Sequence, residues 1–183
     1  MKGALLALLG VAAASASTCV ELTIEDYGKV DIELTDDATP ITVANFLSYV
    51  DDKGYDGTIF HRVIENFMIQ GGGYTSSLKA TSTSSPIKDE ASTGLSNSYG
   101  TIAMARTSQA DSATNQFFIN THDNSYLDYS SSSDGYCAFG TVTSGMDVVD
   151  AISEVATHTT SGMSDVPKTS VVIKKIRRTD CSS

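Results

Sequence analysis

The sequence predicts a mainly β fold, in which a closed eight-stranded antiparallel barrel is capped by two α-helices. About eight short segments have the pattern of strands, because they alternate apolar and polar residues or form short apolar runs. Only two segments carry a helical apolar stripe, one early and one late. These are too few crossover helices for a doubly wound parallel sheet, whereas a closed antiparallel barrel fits. The 183 residues show no internal repeat or domain linker, so a single folded domain is expected.

The first predicted elements are a hairpin and a helix. Residues 20–25 and 30–34 alternate in polarity on either side of a turn at residues 26–29. Thr39 suits the N-cap and Pro40 the first position of the helix that follows. The apolar residues of this helix fall at the spacing of one helical face, namely Val43, Phe46, Leu47 and Val50.

The centre of the sequence places one cation in a strongly apolar setting. Residues 58–64 and 67–70 predict two strands joined by Glu65 and Asn66, and Arg62 lies among their apolar residues. A guanidinium in such surroundings needs a partner carboxylate or a use for its charge. Two interpretations are open from these residues alone. Arg62 either extends from a strand edge into solvent, or it is the fixed cation of a ligand site with an apolar floor.

The remainder of the chain predicts four more strands and a second helix. Residues 74–97 are rich in Ser and Thr and indicate a long surface excursion, in which Asp89 and Glu90 would form a solvated pair. The predicted strands are residues 101–106, 116–120, 136–142 and 170–176. Ser144 is predicted to cap the second helix, whose apolar face comprises Val148, Val149, Ile152 and Val155.

The N-terminus has the pattern of an export signal. A short positive region at residues 1–2 precedes an apolar run at residues 4–14 and the small residues Ala14-Ser15-Ala16, which a signal peptidase recognises. We therefore expect residues 1–16 to be cleaved as a signal peptide. Residues 17–183 would then be a single exported domain in the periplasm, the secretory pathway or the extracellular space.

Export makes the three cysteines informative, because disulfides persist in oxidising compartments. Cys137 lies in an apolar run and is expected to be a small buried hydrophobe. If the first and last strands pair antiparallel, Cys19 lies near Cys181, so a disulfide between them is one alternative and two free thiols the other. Acylation of Cys19 fits poorly, because the preceding residues lack the expected Leu and the Gly or Ala. No Cys or His spacing resembles a metal site, and no cofactor is expected.

Charge and motifs exclude several classes of function. The net charge is −10 and the pI is near 4.5, whereas binding to nucleic acid or to anionic membranes depends on Lys and Arg. Gly71-Gly72-Gly73 is not followed by the Lys and Ser or Thr of a phosphate loop, and no G-x-S-x-G motif is present. Acidic clusters such as Asp36-Asp37 and Asp51-Asp52 are interpreted as solvated surface rather than as the carboxylate pair of a glycosidase.

Five motifs carry a family resemblance. Phe60-His61-Arg62-Val63-Ile64 opens the first motif, which continues to Gly72, and the others are residues 100–106, 115–120, 126–128 and 139–149. In order and spacing they resemble the signature of the cyclophilin family of peptidyl-prolyl cis-trans isomerases. Met104-Ala105-Arg106-Thr107 and residues 135–140 are closer to the bacterial, often exported, subgroup than to the eukaryotic cytosolic one.

The resemblance implies the barrel fold and an active site on its outer face. Arg62 would be the catalytic residue, acting on X–Pro bonds without a cofactor. The pocket for the proline ring would comprise Phe67, Met68, Phe118 and Leu127. The peptide backbone or the adjacent groove would be contacted by Gln70, Ala105 and Gln116. The partners would be proline-containing peptides and unfolded chains, with exported proteins as clients.

Three residues depart from the eukaryotic cytosolic pattern. Tyr126 stands where those members carry a Trp that contacts cyclosporin, so weak cyclosporin binding is expected. Tyr136 replaces a His and Arg106 an Asn, which implies a changed preference for the residue before proline.

Two other functions are alternatives to the isomerase. One is a non-catalytic peptide-binding or chaperone module that uses the same groove. The other is a ligand-carrying barrel of lipocalin type, which the bulky interior residues disfavour. No long heptad pattern or large apolar stripe is left over, so a monomer is expected.

Overall fold

Eight strands close into the predicted antiparallel barrel in a computed structural model that describes residues 17–181. Within these residues the strands are β1 (Cys19–Ile24), β2 (Gly28–Leu34), β3 (Thr58–Ile64), β4 (Met68–Thr75), β5 (Thr101–Met104), β6 (Phe117–Asn120), β7 (Ala138–Ser144), β8 (Thr157–Thr160), β9 (Met163–Pro167) and β10 (Val171–Thr179), of which β8 and β9 lie outside the barrel. Around the barrel they follow the order β1-β10-β3-β4-β6-β5-β7-β2, with every neighbouring pair antiparallel. The predicted signal peptide, residues 1–16, lies outside the described residues.

The first and last strands pair antiparallel, and a disulfide joins the start of β1 to the residues just beyond β10. Cys19 lies opposite Thr179 in the register of β1 and β10. A disulfide joins Cys19 to Cys181, with Cα atoms 5.2 Å apart. Cys137 is a buried free thiol, and burial raises its pKa to about 12. It is therefore protonated at neutral pH and behaves as a small hydrophobe.

Apolar side chains fill the core of the barrel. The two helices are α1 (Pro40–Asp51) and α2 (Met146–Ser153). The ring of Phe46 in α1 lies 5.3 Å from that of Tyr55, 5.6 Å from Phe117 and 5.2 Å from Phe139. Such aromatic packing is typical of a small filled barrel, in contrast to one that holds a ligand inside.

The alternation of β4 and β6 places a second, smaller apolar cluster on the outside of the barrel. In β6, Phe117 and Ile119 belong to the main core, whereas Phe118 between them belongs to the outer cluster. In β4, Ile69 likewise faces the core and Met68 the outer cluster. Because successive side chains of a strand point to opposite faces, the motif residues divide between core and surface.

The N-terminus of α1 is capped from a distant part of the chain. Thr39 occupies the N-cap position, yet its hydroxyl donates to the Thr35 carbonyl oxygen at 3.1 Å and accepts nothing from the helix backbone. Instead, the Glu90 carboxylate accepts a hydrogen bond of 2.8 Å from the backbone N–H of Thr42. A carboxylate here also meets the positive end of the helix dipole. The prediction that Asp89 and Glu90 form a solvated pair is therefore wrong, because the excursion folds back onto the helix.

The cap predicted for α2 is also wrong. Ser144 is the last residue of β7, and Gly145 occupies the N-cap position with φ of +89°. Glycine adopts this left-handed conformation without steric cost, which lets the chain turn from the strand directly into the helix. Val149 and Ile152 are buried, as predicted. No helix within residues 17–181 has both the length and the apolar character needed to cross a membrane.

The hairpin of β8 and β9 has no counterpart in the sequence prediction. The two strands form a separate sheet that packs against β3. Their sequence lacks the apolar alternation of a half-buried strand, since β8 reads Thr157-His158-Thr159-Thr160. The hairpin thereby borders the strand that carries Arg62.

Candidate active site

The outer apolar cluster forms the floor of a pocket of about 120 Å³. Nearly all the predicted site residues line it, namely Arg62, Phe67, Met68, Gln70, Ala105, Arg106, Phe118, Leu127 and Tyr136. Gln116 and Tyr126 lie beside it, the first hydrogen-bonded to Gln70 and the second stacked on Phe67. The fold thus brings together residues that are up to 74 positions apart.

The apolar part of the pocket is built by neighbouring strands. Met68 and Phe118 are buried in the outer cluster, while Phe67 and Leu127 pack against it from outside the strands. The ring of Phe118 meets that of Tyr136 edge to face, with centroids 5.9 Å apart. The cavity is therefore apolar below and open above, and its size suits one small ring.

Arg62 lies at the polar edge of this pocket and is tethered by other residues. Its Nη1 donates to Gln70 Oε1 at 3.4 Å, and Gln70 Nε2 donates to Gln116 Oε1 at 2.9 Å. Arg62 Nε also lies 4.0 Å from Asp165 Oδ2 on β9. The Arg62 side chain is 42% exposed, so the solvent-directed interpretation is partly correct. The guanidinium is nevertheless directed by the protein rather than free.

The second cation of the pocket, Arg106, is held much more firmly. Its Nε donates to the Gly135 carbonyl oxygen at 2.7 Å, and its Cζ lies 4.6 Å from the centre of the Tyr136 ring. Its side chain is only 9% exposed and lies 3.9 Å from Asp89 Oδ2. Burial raises the pKa of Asp89, although the Arg106 charge opposes this. Arg106 and Tyr136, the two departures at the groove, thus form one stacked unit.

His61 precedes Arg62 in the chain but is not among the residues that line the pocket. It is buried, and its ring lies 4.6 Å from that of Tyr74. Burial lowers the pKa of His61 to about 4, so the imidazole is neutral at pH 7. No group of three or more His, Cys, Asp or Glu within the described chain is placed to hold a metal ion.

A buried network of amides supports the far wall of the pocket. Asn124 Nδ2 donates to the Phe67 carbonyl oxygen at 2.8 Å and to Asn120 Oδ1 at 2.8 Å. Asp128 Oδ1 accepts from the backbone N–H of Asn97 at 2.7 Å. Burial alone would raise the pKa of Asp128, but hydrogen bonds from Ser96 and Asn97 lower it. Sequence reasoning did not identify this network, because its members are isolated polar residues without a periodic pattern.

Comparison with known proteins agrees with the motifs. The model of the family described as cyclophilin type peptidyl-prolyl cis-trans isomerase matches residues 19–178. A peptidyl-prolyl cis-trans isomerase of Acinetobacter baylyi is 52% identical over 93% of this chain and 90% of its own length. Peptidyl-prolyl cis-trans isomerase B of Escherichia coli is 50% identical over 82% of this chain and 94% of its own length.

Solved structures show the same fold. A crystal structure of a cyclophilin type peptidyl-prolyl cis-trans isomerase from Cryptosporidium parvum matches with a TM-score of 0.73 at 24% identity, covering 91% of this chain and 99% of that one. Another structure of that protein, in the presence of the dipeptide Ala-Pro, matches with a TM-score of 0.71 at 25% identity, covering 87% and 97%.

Proposed function

Because the chain belongs to the cyclophilin family and is a peptidyl-prolyl cis-trans isomerase, we propose that Arg62 is its catalytic residue and that the pocket beside Arg62 holds the proline ring. The observation that carries this proposal is a tethered guanidinium at the edge of an apolar pocket of about 120 Å³. The crystal structure of a related protein in the presence of Ala-Pro supports proline-containing chains as the substrates.

The chemistry of the reaction explains why a cation suits this position. Rotation about an X–Pro bond has a barrier of ~18–20 kcal/mol, because amide resonance is lost. In the twisted transition state the prolyl nitrogen becomes pyramidal and gains a lone pair. An N–H donor of Arg62 directed at that nitrogen interacts strongly with the twisted state and little with the planar one. It therefore lowers the barrier without simply tightening substrate binding.

The remaining pocket residues would restrict the motion to one bond. The ring would be held by Phe67, Met68, Phe118 and Leu127. Gln70 and Gln116, joined by their 2.9 Å hydrogen bond, present a fixed amide pair to the peptide backbone beside it. With one side of the bond immobilised, rotation is confined to the other side. By this mechanism no pocket residue has to act as a nucleophile, and the reaction needs no cofactor.

A protease-coupled isomerisation assay on the purified protein tests this proposal. An enzyme should accelerate the cis-to-trans conversion of a Xaa-Pro peptide in proportion to its concentration. A non-catalytic peptide-binding or chaperone module would bind the peptide without accelerating the conversion. A pure binding groove has no need of the directed cation, and the tethering of Arg62 therefore favours catalysis.

Tyr126 is the basis for a prediction about cyclosporin. Its side chain is exposed and stacks on Phe67 at 6.3 Å, so a larger indole can be accommodated. Tyr126→Trp is expected to tighten cyclosporin binding at least about tenfold, because an indole adds apolar area and places its N–H donor at a different position from the tyrosine hydroxyl. Isothermal titration calorimetry measures the change, with Tyr126→Phe as the matched control that keeps the aromatic ring and removes the hydroxyl donor. An unchanged Kd in Tyr126→Trp would contradict the prediction.

We further propose that the mature protein is exported, is monomeric and assists the folding of other exported proteins. The signal-like pattern of residues 1–16 supports export, and a Cys19–Cys181 disulfide suits an oxidising compartment. Mass spectrometry of the mature protein should find an N-terminus at Ser17, whereas an intact Met1 in the active pool would contradict export by this signal. Sedimentation analysis should give the mass of one chain.

A further inference from the structure

The β8–β9 hairpin reaches the active site through one charged side chain. Asp165 of β9 is the carboxylate that lies within ion-pair distance of Arg62, with Oδ2 4.0 Å from Nε. The opposite edge of the same guanidinium donates from Nη1 to Gln70 Oε1 at 3.4 Å. The two contacts therefore hold the planar group from two sides. In the described part of the chain, Nη2 has no protein hydrogen-bond partner and remains available to a substrate.

The backbone of β9 is shaped to direct this carboxylate. His158 pairs with Val166 and Thr160 with Met163, so β9 carries one residue more than β8 between these pairs. This is a β-bulge, and bulges re-aim side chains next to functional sites. Asp165 lies within it with φ of +60°, a left-handed conformation that non-glycine residues rarely adopt. Asp and Asn tolerate that conformation best among residues with side chains.

We infer that Asp165 is a positioning residue for catalysis, which fixes the direction of the Arg62 guanidinium from the β8–β9 hairpin. The inference rests on the proposed role of Arg62. Both side chains are about two-fifths exposed, at 42% and 41%, so the ion pair contributes little to stability. Its effect is directional. If the Arg62 guanidinium rotated freely, its N–H group would not stay directed at the prolyl nitrogen of the substrate.

Asp165→Asn is the test substitution, because Asn keeps the shape and the tolerance of a left-handed backbone while removing the charge. We expect kcat to fall about threefold to tenfold with KM nearly unchanged, since alignment matters in the transition state and not in peptide binding. Asp26→Asn is the matched control. Asp26 is also a left-handed aspartate, with φ of 63°, but it lies in the exposed β1–β2 turn away from the pocket. Its kcat should stay within about 1.5-fold of the wild type.

The background of Arg62→Lys separates positioning from a general charge effect. A lysine ammonium has no planar fork to orient, so Asp165→Asn should change kcat by less than twofold in that background. The Nε–Hε resonance of Arg62 in 15N NMR spectra provides an independent readout. It should shift and broaden in Asp165→Asn and stay in place in Asp26→Asn.

Three results would overturn the inference. These are an unchanged kcat in Asp165→Asn, an equal loss in the lysine background, or an Arg62 resonance that does not move. Arg62→Ala distinguishes failure of the inference from failure of the proposed function. If Arg62→Ala keeps its activity, the catalytic role of Arg62 is wrong. If it loses activity while Asp165→Asn does not, only the positioning role of Asp165 is wrong.

Discussion

Arg62→Ala is expected to lower kcat/KM for a proline peptide about 100- to 1,000-fold, because one preorganised donor to the developing charge is lost. The loss should appear in kcat, since the apolar floor that binds the proline ring is left intact. The protease-coupled assay provides the measurement, with cis-to-trans conversion followed at several enzyme concentrations. A kcat/KM near that of the wild type would refute the catalytic role.

The fold should survive this substitution. Arg62 is 42% exposed, and its contacts to Gln70 and Asp165 are a 3.4 Å hydrogen bond and a 4.0 Å ion pair. Neither contact is fully buried, so the melting temperature should change by no more than a few degrees. Arg178→Ala is a matched control, because Arg178 is 49% exposed and pairs with Asp51 on the surface. It should lose a similar amount of stability and keep full activity.

Arg62→Lys should lie between the wild type and the alanine variant. It retains the positive charge. Arginine, however, can contact Gln70 through Nη1 and donate to the substrate through Nη2 at the same time, whereas lysine has a single nitrogen for both tasks. A partial loss would indicate that direction contributes in addition to charge. Activity equal to that of the wild type would indicate that the charge alone is sufficient. The contacts of Arg62 with Gln70 and Asp165 would then play no part in catalysis.

Local patterns predicted the barrel strands well and the helix ends poorly. Period-two alternation identifies β1 and β2, because a strand with one buried face repeats every second residue. β3 and β6 are buried on both faces, and they are identified instead as short apolar runs. A helix cap needs only one acceptor, and that acceptor can come from anywhere in the chain. For α1 it comes from Glu90, 48 residues after Thr42. No local pattern contains that information.

The residues of the candidate site likewise divide into those that the sequence predicted and those that it did not. The family resemblance of the motifs identified Arg62, Phe118 and most of the other lining residues, because these lie within the motif segments. Asp165 and Asn124 remained unidentified, since each acts through a contact that exists only after the hairpin and the loops have folded. The β8–β9 hairpin also lacks apolar alternation and is stabilised by pairing and by its contact with β3. Elements without a buried face are the ones that sequence patterns miss.

Removal of the Cys19–Cys181 disulfide is expected to cost about 3–5 kcal/mol of unfolding free energy. The bond spans 162 residues of sequence. In the chain-entropy model, closure of a loop this long restricts the unfolded chain by roughly 5 kcal/mol, and native disulfides contribute about 2–5 kcal/mol. The double variant Cys19→Ser/Cys181→Ser should therefore melt roughly 6–20 °C lower than the wild type. Thermal and urea unfolding followed by circular dichroism measure both quantities.

A reducing agent provides the internal control. It should destabilise the wild type to the level of the double variant and leave the double variant unchanged. Cys137 does not interfere, because the thiolate is the reactive form and burial raises the pKa of this thiol to about 12. Equal stability of oxidised wild type and double variant would contradict the prediction.

The double variant Cys19→Ser/Cys181→Ser also separates the effect of the disulfide on stability from any effect on activity. Cys19 and Cys181 join the ends of the chain at β1 and β10 and are not among the residues that line the pocket. Well below its melting temperature, the double variant should keep kcat/KM within about twofold of the wild type. Arg62→Ala should show the reverse, with activity lost and stability kept. If both variants lost both properties, the pocket would depend on the closure of the chain ends, and the isomerase activity would require an oxidising compartment.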